Sequence, residues 1–151
     1  TSDFQMKRDA LERIASARPD IFNHNLETVP RLYSLVRPQA DYKRSLAVLE
    51  YMKEFIPAVY TKSGIMVGLG ETEDEVIQVM EDLQQVYCDI LTIGQYLQPS
   101  KEHLPVARFI SQGKFRYYEE MAKARGFTLV AAGPFVRSSF NAGELTEKLF
   151  E

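Results

Sequence analysis

A regular alternation of helical and strand-like segments constrains this chain more than any other feature. Four segments with apolar residues at helical spacing are each followed by a short run rich in apolar, β-branched and small residues. The predicted helices cover residues 4–17, 42–55, 72–87 and about 112–125, and the predicted strands lie within residues 21–25, 60–70, 89–97 and 127–136. Alternation of this kind is typical of βα units around a parallel sheet.

Capping signals mark the ends of the predicted helices. Pro19 stops the first helix, and Asp41 is placed to cap the second. Thr72 followed by Glu75 is a capping-box pattern at the third helix, and Gly126 can take the left-handed conformation that ends the fourth. Periodicity and caps therefore predict the same helices independently.

The number of βα units limits the size of the fold. A complete eight-fold barrel needs about 250 residues, whereas this chain has 151. The predicted fold class is therefore α/β, with parallel (β/α) units that form about half of a barrel, in a single domain of residues 1–151. We find no linker, sequence repeat or low-complexity stretch.

Composition excludes several classes of partner and site. The net charge is −3 and the basic residues are spread along the chain, so we expect neither nucleic acid nor a membrane as partner. No apolar run approaches the ~20 residues that span a bilayer, and we expect a soluble, intracellular protein. Cys88 is the single cysteine, so it cannot form an internal disulfide or hold a metal by itself, and we expect it to be buried.

Polar or glycine-bearing sequences follow each predicted strand. In parallel α/β folds, functional side chains gather at the carboxyl ends of the strands. That rule selects four stretches, NHNLET, GLGE, GQYLQPS and GPFVRSS. In the first, Asn23, Asn25 and Glu27 alternate with period two, which puts them on one side of an extended segment. Amides and a carboxylate so arranged suit vicinal hydroxyls such as those of a ribose, although turn and cap chemistry would also explain them.

The second and third stretches have comparable alternatives. Gly68 would let a ligand approach the backbone and Glu71 precedes a helix start, but a plain strand-to-helix turn also explains both. Gln95, Tyr96 and Gln98 offer amide edges and an aromatic face that could hold a flat heterocycle. A tyrosine at this position is equally ordinary in a core.

The fourth stretch places a guanidinium beside two hydroxyls. Arg137 could bind a carboxylate or a phosphate, whereas Ser138 and Ser139 could cap a helix that begins at Ser139 or Phe140. The pattern alone favours capping.

Taken together, these stretches carry a family resemblance. Along residues 19–143, the chain closely resembles the lipoyl synthases in the segments NHNLETVPRLY, VRPQADYKRSL, TKSGIMVGLGET, GQYLQPSKEHLPV and GPFVRSSFNAGE. The resemblance implies the carboxyl-terminal half of a partial (β/α)6 TIM-like radical S-adenosylmethionine (SAM) barrel. It further implies insertion of two sulfur atoms at C6 and C8 of an octanoyl chain carried on a lysine.

The resemblance also implies cofactors and partners. One 4Fe–4S cluster, held by Cys-x3-Cys-x2-Cys, cleaves SAM to a 5′-deoxyadenosyl radical, and an auxiliary 4Fe–4S cluster is consumed as the sulfur source. The carrier would be an octanoylated lipoyl domain or the glycine cleavage H protein, and the reductant ferredoxin or flavodoxin. The compartment would be the cytoplasm, or a mitochondrion or plastid in a eukaryote.

Individual positions take roles from the resemblance. Ser139 is similar to the serine that binds the auxiliary cluster, with Ser138 as the alternative, and Arg137 would lie near that cluster or the substrate. Asn25 and Glu27 would contact the ribose of SAM. The remaining implied contacts are GIMVGLGE against the adenosyl portion and GQYLQP against adenine.

The sequence also departs from the family. Neither cysteine motif is present, so we expect the chain to be inactive without an amino-terminal half. Phe140 stands where we expect a tyrosine. A stand-alone half-barrel that binds or scaffolds without catalysis is the alternative, and a phosphate-binding barrel enzyme would rest on the glycines alone.

Overall fold

The computed structural model describes residues 2–139, 147 and 149. Its centre is a four-stranded sheet in the order β1-β2-β3-β4, with every strand parallel to its neighbours. The strands are β1 (Ile21–Asn23), β2 (Tyr60–Val67), β3 (Ile90–Gln95) and β4 (Leu129–Gly133). The helices are α1 (Arg8–Ser16), α2 (Tyr33–Val36), α3 (Tyr42–Phe55), α4 (Glu73–Gln85) and α5 (Gln112–Ala124), with 3-10 turns at Phe4–Met6 and Pro30–Leu32. The predicted α/β class with parallel units is confirmed.

The sheet is open at both edges within the described residues. Sequence order equals spatial order, so β1 and β4 each pair with one strand only. Parallel strands need crossover connections, and here the long segments between strands contain the helices. Parallel strands in sequential order, without a reversal, are consistent with a portion of a (β/α) barrel.

The three longer helices confirm the prediction from periodicity and caps. In α4, the Thr72 hydroxyl accepts a hydrogen bond from the Glu75 N–H (3.2 Å), and the Glu75 carboxylate accepts one from the Thr72 N–H (2.8 Å). The capping box is therefore complete. Asp41 caps α3 as predicted, by accepting from the Arg44 N–H at 2.7 Å.

The prediction is wrong at the first helix and at the end of the last strand. Helix α1 begins at Arg8 instead of residue 4, because Asp3 accepts from the Gln5 N–H (2.9 Å) and closes a separate turn. Strand β4 ends at Gly133 because Pro134, which follows, has no N–H to donate. The short α2 was not predicted, since four residues carry no readable period.

The core fills the space between the sheet and the helices. The side chains that pack there from the strands and the three longer helices include Phe22, Ile65, Val67, Leu91, Ile93, Val48, Leu49, Met52, Val76, Val79, Met80, Leu83, Phe115, Tyr118 and Ala122. Because side chains alternate along a strand, the opposite, inner face carries the intervening residues of β2 and β3. These residues are Lys62, Gly64, Met66, Ile90, Thr92 and Gly94, of which two are glycines and two are polar. Within the described part of the chain, none of the helices is long and apolar enough to cross a membrane.

Candidate functional site

A cavity of about 180 Å³ lies on the inner face, toward the carboxyl ends of the strands. The loop after β1, the inner faces of β2 and β3, and the segment after β4 all contribute to it. The lining residues are Asn25, Glu27, Gly64, Ile65, Met66, Thr92, Gly94, Gln95, Leu97, Val136, Arg137 and Ser138. Three of the four predicted stretches therefore meet in one place.

Two glycines make the floor of this cavity. A Cβ atom on Gly64 would lie 2.6 Å from the Thr92 hydroxyl and 3.2 Å from Asn25 Oδ1. A Cβ atom on Gly94 would lie 2.2 Å from the carbonyl oxygen of Val136. Only glycine at these positions lets the neighbouring loops lie directly on the sheet.

The loop after β1 has the predicted alternation. Asn25 and Glu27 are half-buried toward the cavity, whereas His24, Leu26 and Thr28 point the other way and are buried. Asn23 is likewise half-buried but lies at the end of β1, outside the cavity lining. Asn23, Asn25 and Glu27 therefore alternate with buried neighbours, as the period of two predicts.

Glu27 is held in an unusual backbone conformation. Its φ is +69°, in the left-handed region that side chains rarely adopt. The Glu27 N–H donates to the carbonyl of Gly64 (2.9 Å), and the Glu27 carbonyl accepts from the N–H of Met66 (2.8 Å). Local strain of this kind persists where surrounding contacts over-determine it, and it is common at ligand sites.

Asn25 presents a buried acceptor to the cavity. Its Nδ2 donates to the Glu27 carboxylate at 3.1 Å. Its Oδ1 is buried and accepts no hydrogen bond from any residue that the structure describes. An unsatisfied buried acceptor costs roughly 1–3 kcal/mol, so a ligand hydroxyl placed here would gain a well-oriented partner.

The segment after β4 also lines the cavity. Arg137 is exposed, and its Nη1 donates to the carbonyls of Val136 (2.7 Å) and Pro134 (3.3 Å). Ser138 and Ser139 are both exposed, but only Ser138 belongs to the cavity lining. The helix predicted to begin at Ser139 or Phe140 lies outside the described residues.

Lys62 contacts this segment from the inner face of the sheet. The sequence analysis did not identify this residue. The residue is 6% exposed, and its ammonium group donates to the carbonyl of Ser138. Burial lowers the pKa of Lys62 from its usual value. The available signal was a lysine two residues before Gly64 within a predicted buried strand, a spacing that places both on the same face.

Gly68 and Glu71 build a turn outside the cavity lining. The Glu71 carboxylate accepts from the N–H groups of Gly68 (2.8 Å) and Leu69 (2.9 Å), and the residue is 2% exposed. Gly68 has φ +101°, and a Cβ there would lie 2.3 Å from Gln95 Nε2. In this structure both residues shape the connection between β2 and α4.

The polar side chains of the third predicted stretch, GQYLQPS, form hydrogen bonds to the loop that follows it. Gln95 lines the cavity, but its Oε1 accepts from the Ile110 N–H (2.8 Å) and its Nε2 donates to the Arg108 carbonyl (3.1 Å). The Tyr96 hydroxyl and the Gln98 amide also donate to carbonyls of the following loop, each at 2.8 Å. These side chains shape the loop, which leaves backbone groups to face a ligand.

A second cavity adjoins the first. It measures about 550 Å³ and shares Glu27, Met66 and Leu97 with the first as lining residues. Tyr96 lies on its wall and is 5% exposed. A ligand larger than the first cavity could therefore extend past Glu27.

The described residues do not form a complete metal site. They contain no group of three or more His, Cys, Asp or Glu side chains close enough to hold a metal ion. Cys88 lies near the amino end of β3, away from the cavity, with its thiol close to the carbonyls of Thr61 and Ile90. Burial raises the pKa of Cys88 to about 12. The expectation that Cys88 is a buried structural residue is confirmed.

Comparison with known proteins identifies relatives of the whole chain. A sequence profile of the radical SAM superfamily matches residues 1–83. A lipoyl synthase of Rubrobacter xylanophilus is 56% identical over 147 residues, which cover 97% of this chain and 46% of that protein. A lipoyl synthase of Caldanaerobacter subterraneus subsp. tengcongensis is 56% identical over 140 residues, covering 93% and 49%. The chain spans about half the length of the curated relatives it matches.

Proposed function

The chain belongs to the radical SAM superfamily, and on this premise we propose that it is the carboxyl-terminal portion of a lipoyl synthase. The observation that carries the proposal is the 56% identity to lipoyl synthases over 97% of the chain. The reaction would insert two sulfur atoms at C6 and C8 of an octanoyl chain bound to a carrier protein.

The cavity on the inner face fits the cofactor that the superfamily implies. The buried Oδ1 of Asn25 can accept from a ribose hydroxyl, and the Glu27 carboxylate beside it can accept from the neighbouring one. The glycine floor leaves room for the adenosyl portion. When bound, SAM supplies the hydrogen-abstracting chemistry of the superfamily.

The protein residues bind and orient this cofactor. Asn25 and Glu27 would fix the sugar, because the two side chains are already joined at 3.1 Å and need little reorganisation. Arg137, at the cavity wall, would pair with an anionic group of the cofactor or substrate. Gln95 and Tyr96 would position the loop whose backbone faces the adenine.

The iron–sulfur part of the proposal needs ligands from outside the described residues. Superfamily membership implies an iron–sulfur cluster, and the family resemblance implies two. Of the described residues we assign one ligand, the hydroxyl of Ser139, with Ser138 as the alternative. Since the described residues form no complete metal site, we derive no reaction step through a cluster.

The proposed partners follow from the proposed reaction. The substrate would be an octanoylated lipoyl domain or the glycine cleavage H protein, and ferredoxin or flavodoxin would supply electrons. Each is a protein, and the exposed side chains of Phe109 and Phe135 provide apolar surface outside the core. We assign neither residue to a particular partner.

The test uses the full-length protein, purified anaerobically. It is incubated with an octanoylated lipoyl domain, SAM and a reductant, and the product mass reports whether two sulfur atoms were inserted. Ser139→Ala should abolish sulfur insertion and remove about four irons per protein, the content of one 4Fe–4S cluster. Ser138→Ala tests the alternative ligand, and Ser34→Ala, at an exposed position of α2, is the matched control.

Two results would reject parts of the proposal. Full lipoylation by Ser139→Ala would remove Ser139 from the site. A wild-type protein that contains its clusters and cleaves SAM, yet inserts no sulfur into either carrier, would reject the lipoyl synthase assignment.

A further inference from the structure

Lys62 is a buried cation on the inner face of the sheet. It sits on β2, beside Asn23 of β1 and Ile90 of β3 in the strand register. The residue is 6% exposed, and no carboxylate of the described residues forms a salt bridge with it. Its ammonium group donates to the carbonyl of Ser138, 76 positions later in the chain.

The segment that Lys62 contacts, residues 134–139, folds back over the inner face. The Val136 carbonyl lies directly above Gly94 of β3, where a Cβ would come within 2.2 Å. Two residues later, the Ser138 carbonyl reaches Lys62 on β2. The segment therefore crosses β3 and is anchored on β2, and three of its residues line the cavity.

Among the described residues, the hydrogen bond from Lys62 is the one that joins this segment to a distant part of the chain. The other hydrogen bonds to residues 134–139 are local: the Val136 N–H donates to Gly133, and Arg137 donates to Pro134 and Val136. Local bonds shape a turn but cannot fix its position on the sheet. Among the hydrogen bonds of the described residues, the one from the Lys62 ammonium ties this segment to the sheet.

The chemistry of the contact favours a positioning role. Burying an ammonium group is unfavourable, and a methionine of similar length would avoid this penalty. A charge-assisted hydrogen bond to a carbonyl is stronger than a neutral one. The cation therefore holds the segment more firmly than an apolar residue could, at the expense of its own hydration.

We propose that Lys62 is a positioning residue that holds the 134–139 segment in place as a wall of the SAM cavity. The inference rests on the proposed function, because SAM is taken as the ligand of the cavity. Lys62 touches the main chain of Ser138 and acts on the ligand through Val136, Arg137 and Ser138.

The experiment measures SAM affinity and backbone protection in the full-length, cluster-loaded protein. Lys62→Met removes the ammonium group, and Lys62→Arg retains a cationic donor. Lys53→Met is the matched control, because Lys53 is a partly buried lysine near the opposite end of the sheet, paired with Asp89. Calorimetry under non-reducing conditions gives the Kd for SAM, and hydrogen exchange reports on the amides of residues 135–139.

We expect Lys62→Met to raise the Kd for SAM about tenfold and to speed exchange in residues 135–139 by a similar factor. Lys62→Arg should stay within about threefold of wild type in both measurements, because it keeps a charged donor. Lys53→Met should lower the Tm and leave both unchanged. Equal behaviour of Lys62→Met and Lys53→Met would overturn the inference.

A second variant displaces the segment where it crosses β3. Gly94→Ala keeps Lys62 but places a Cβ against the Val136 carbonyl, and it should also speed exchange in residues 135–139. Unchanged protection in both Gly94→Ala and Lys62→Met would overturn the proposed path of the segment. If wild-type protein binds no SAM, the proposed function fails, while the exchange measurements still decide whether Lys62 holds the segment.

Discussion

The two ends of the sheet differ in how completely their polar groups are hydrogen-bonded within the chain. At the amino end, the Asp89 carboxylate accepts from the Lys53 ammonium at 2.8 and 3.0 Å. It also accepts from the N–H (2.7 Å) and the hydroxyl (3.3 Å) of Thr61. Lys53 in turn donates to the carbonyl of Val59 at 2.9 Å. The chain itself satisfies this cluster and ties α3 to β2 and to the start of β3.

The carboxyl end contains a cavity and a polar group without a hydrogen-bond partner among the described residues. Asn25 Oδ1 is buried and without a partner among the described residues, and Glu27 has a left-handed backbone. Gly64 and Gly94 keep the floor free of side chains. The amino end is therefore closed by contacts within the chain, whereas the carboxyl end has the features on which the proposed binding role rests, a division common to parallel α/β barrels.

The largest effect is expected from removing the Asp89 carboxylate at the amino end. Asp89→Ala would leave the partly buried Lys53 and the Thr61 N–H without their acceptor. We expect the free energy of unfolding to fall by about 3–4 kcal/mol, while the Kd for SAM changes less than about twofold. Urea denaturation and calorimetry on the full-length protein measure the two quantities.

The control for Asp89→Ala is Asp20→Ala, which removes an exposed carboxylate that precedes β1. It should change the unfolding free energy by less than about 0.5 kcal/mol. If SAM affinity fell in step with stability in Asp89→Ala, the two ends would not be separable.

The turn after β2 tests whether the carboxyl end also contains structural positions. Gly68 and Gly70 both have positive φ, +101° and +106°, but a Cβ on Gly68 meets Arg108 and Gln95 within 2.5 Å, whereas one on Gly70 has its nearest atom at 3.9 Å. We expect Gly68→Ala to cost roughly 2–3 kcal/mol of unfolding free energy and Gly70→Ala about 1 kcal/mol. Thermal denaturation of the matched pair measures the difference. Equal losses would mean that backbone strain alone, and not the packing against the loop, determines the cost.

Asn25→Ala should affect binding more than stability. The change removes the hydrogen bond to Glu27 but also removes a buried, unsatisfied acceptor. We expect the Kd for SAM to rise about tenfold, while unfolding free energy stays within about 0.5 kcal/mol of wild type. Gln78→Ala, an exposed amide on α4, should change neither. A stability loss of several kcal/mol without loss of affinity would make Asn25 a structural residue.

The smallest expected effect depends on pH and lies at the rim of the carboxyl end. The hydrogen bonds from the Arg31 guanidinium and the Thr72 N–H lower the pKa of Glu75 to about 2. Because the folded-state pKa lies below the ordinary value of 4.5, this contribution is present above about pH 4.5 and disappears as the pH falls toward 2. Arg31 is 55% exposed, so screening limits the contribution to about 1 kcal/mol.

Glu75→Gln isolates that charge. Glutamine can retain the reciprocal capping bond to Thr72 but loses the ion pair with Arg31. The stability difference between wild type and variant should be visible at pH 6 and vanish near pH 2–3, as measured by urea denaturation at each pH. A difference independent of pH would mean that packing, and not charge, accounts for it.

Much of the fold could be predicted because its signals are local. The capping box at Thr72 and Glu75, the cap at Asp41 and the apolar stripes depend on residues within a few positions of each other. The same holds for the alternation of Asn25 and Glu27 with buried neighbours, since a strand period needs no knowledge of distant residues. The family resemblance followed from sequence segments for the same reason.

The individual roles in the candidate site could not be predicted in the same way. For Glu71, Gln95 and Tyr96 the sequence suggested a ligand contact beside an ordinary structural role, and the structure places their polar atoms on backbone groups of the chain itself. A sequence pattern shows which side chains follow a strand. It does not show which of them the chain's own backbone will bind, whether in the adjacent turn, as for Glu71, or in a loop that returns to the same place, as for Gln95.

The βα alternation, the ends of the capped helices and the stretches that build the site could be read from the sequence, because periodicity and capping act over a few residues. The tertiary structure alone decided which of those side chains face the cavity and how Lys62 meets Ser138. The contact of Gln95 with Arg108 and that of Lys62 with Ser138 join residues 13 and 76 positions apart. Such pairs depend on how the strands and loops pack together in space, and that arrangement leaves no local pattern in the sequence.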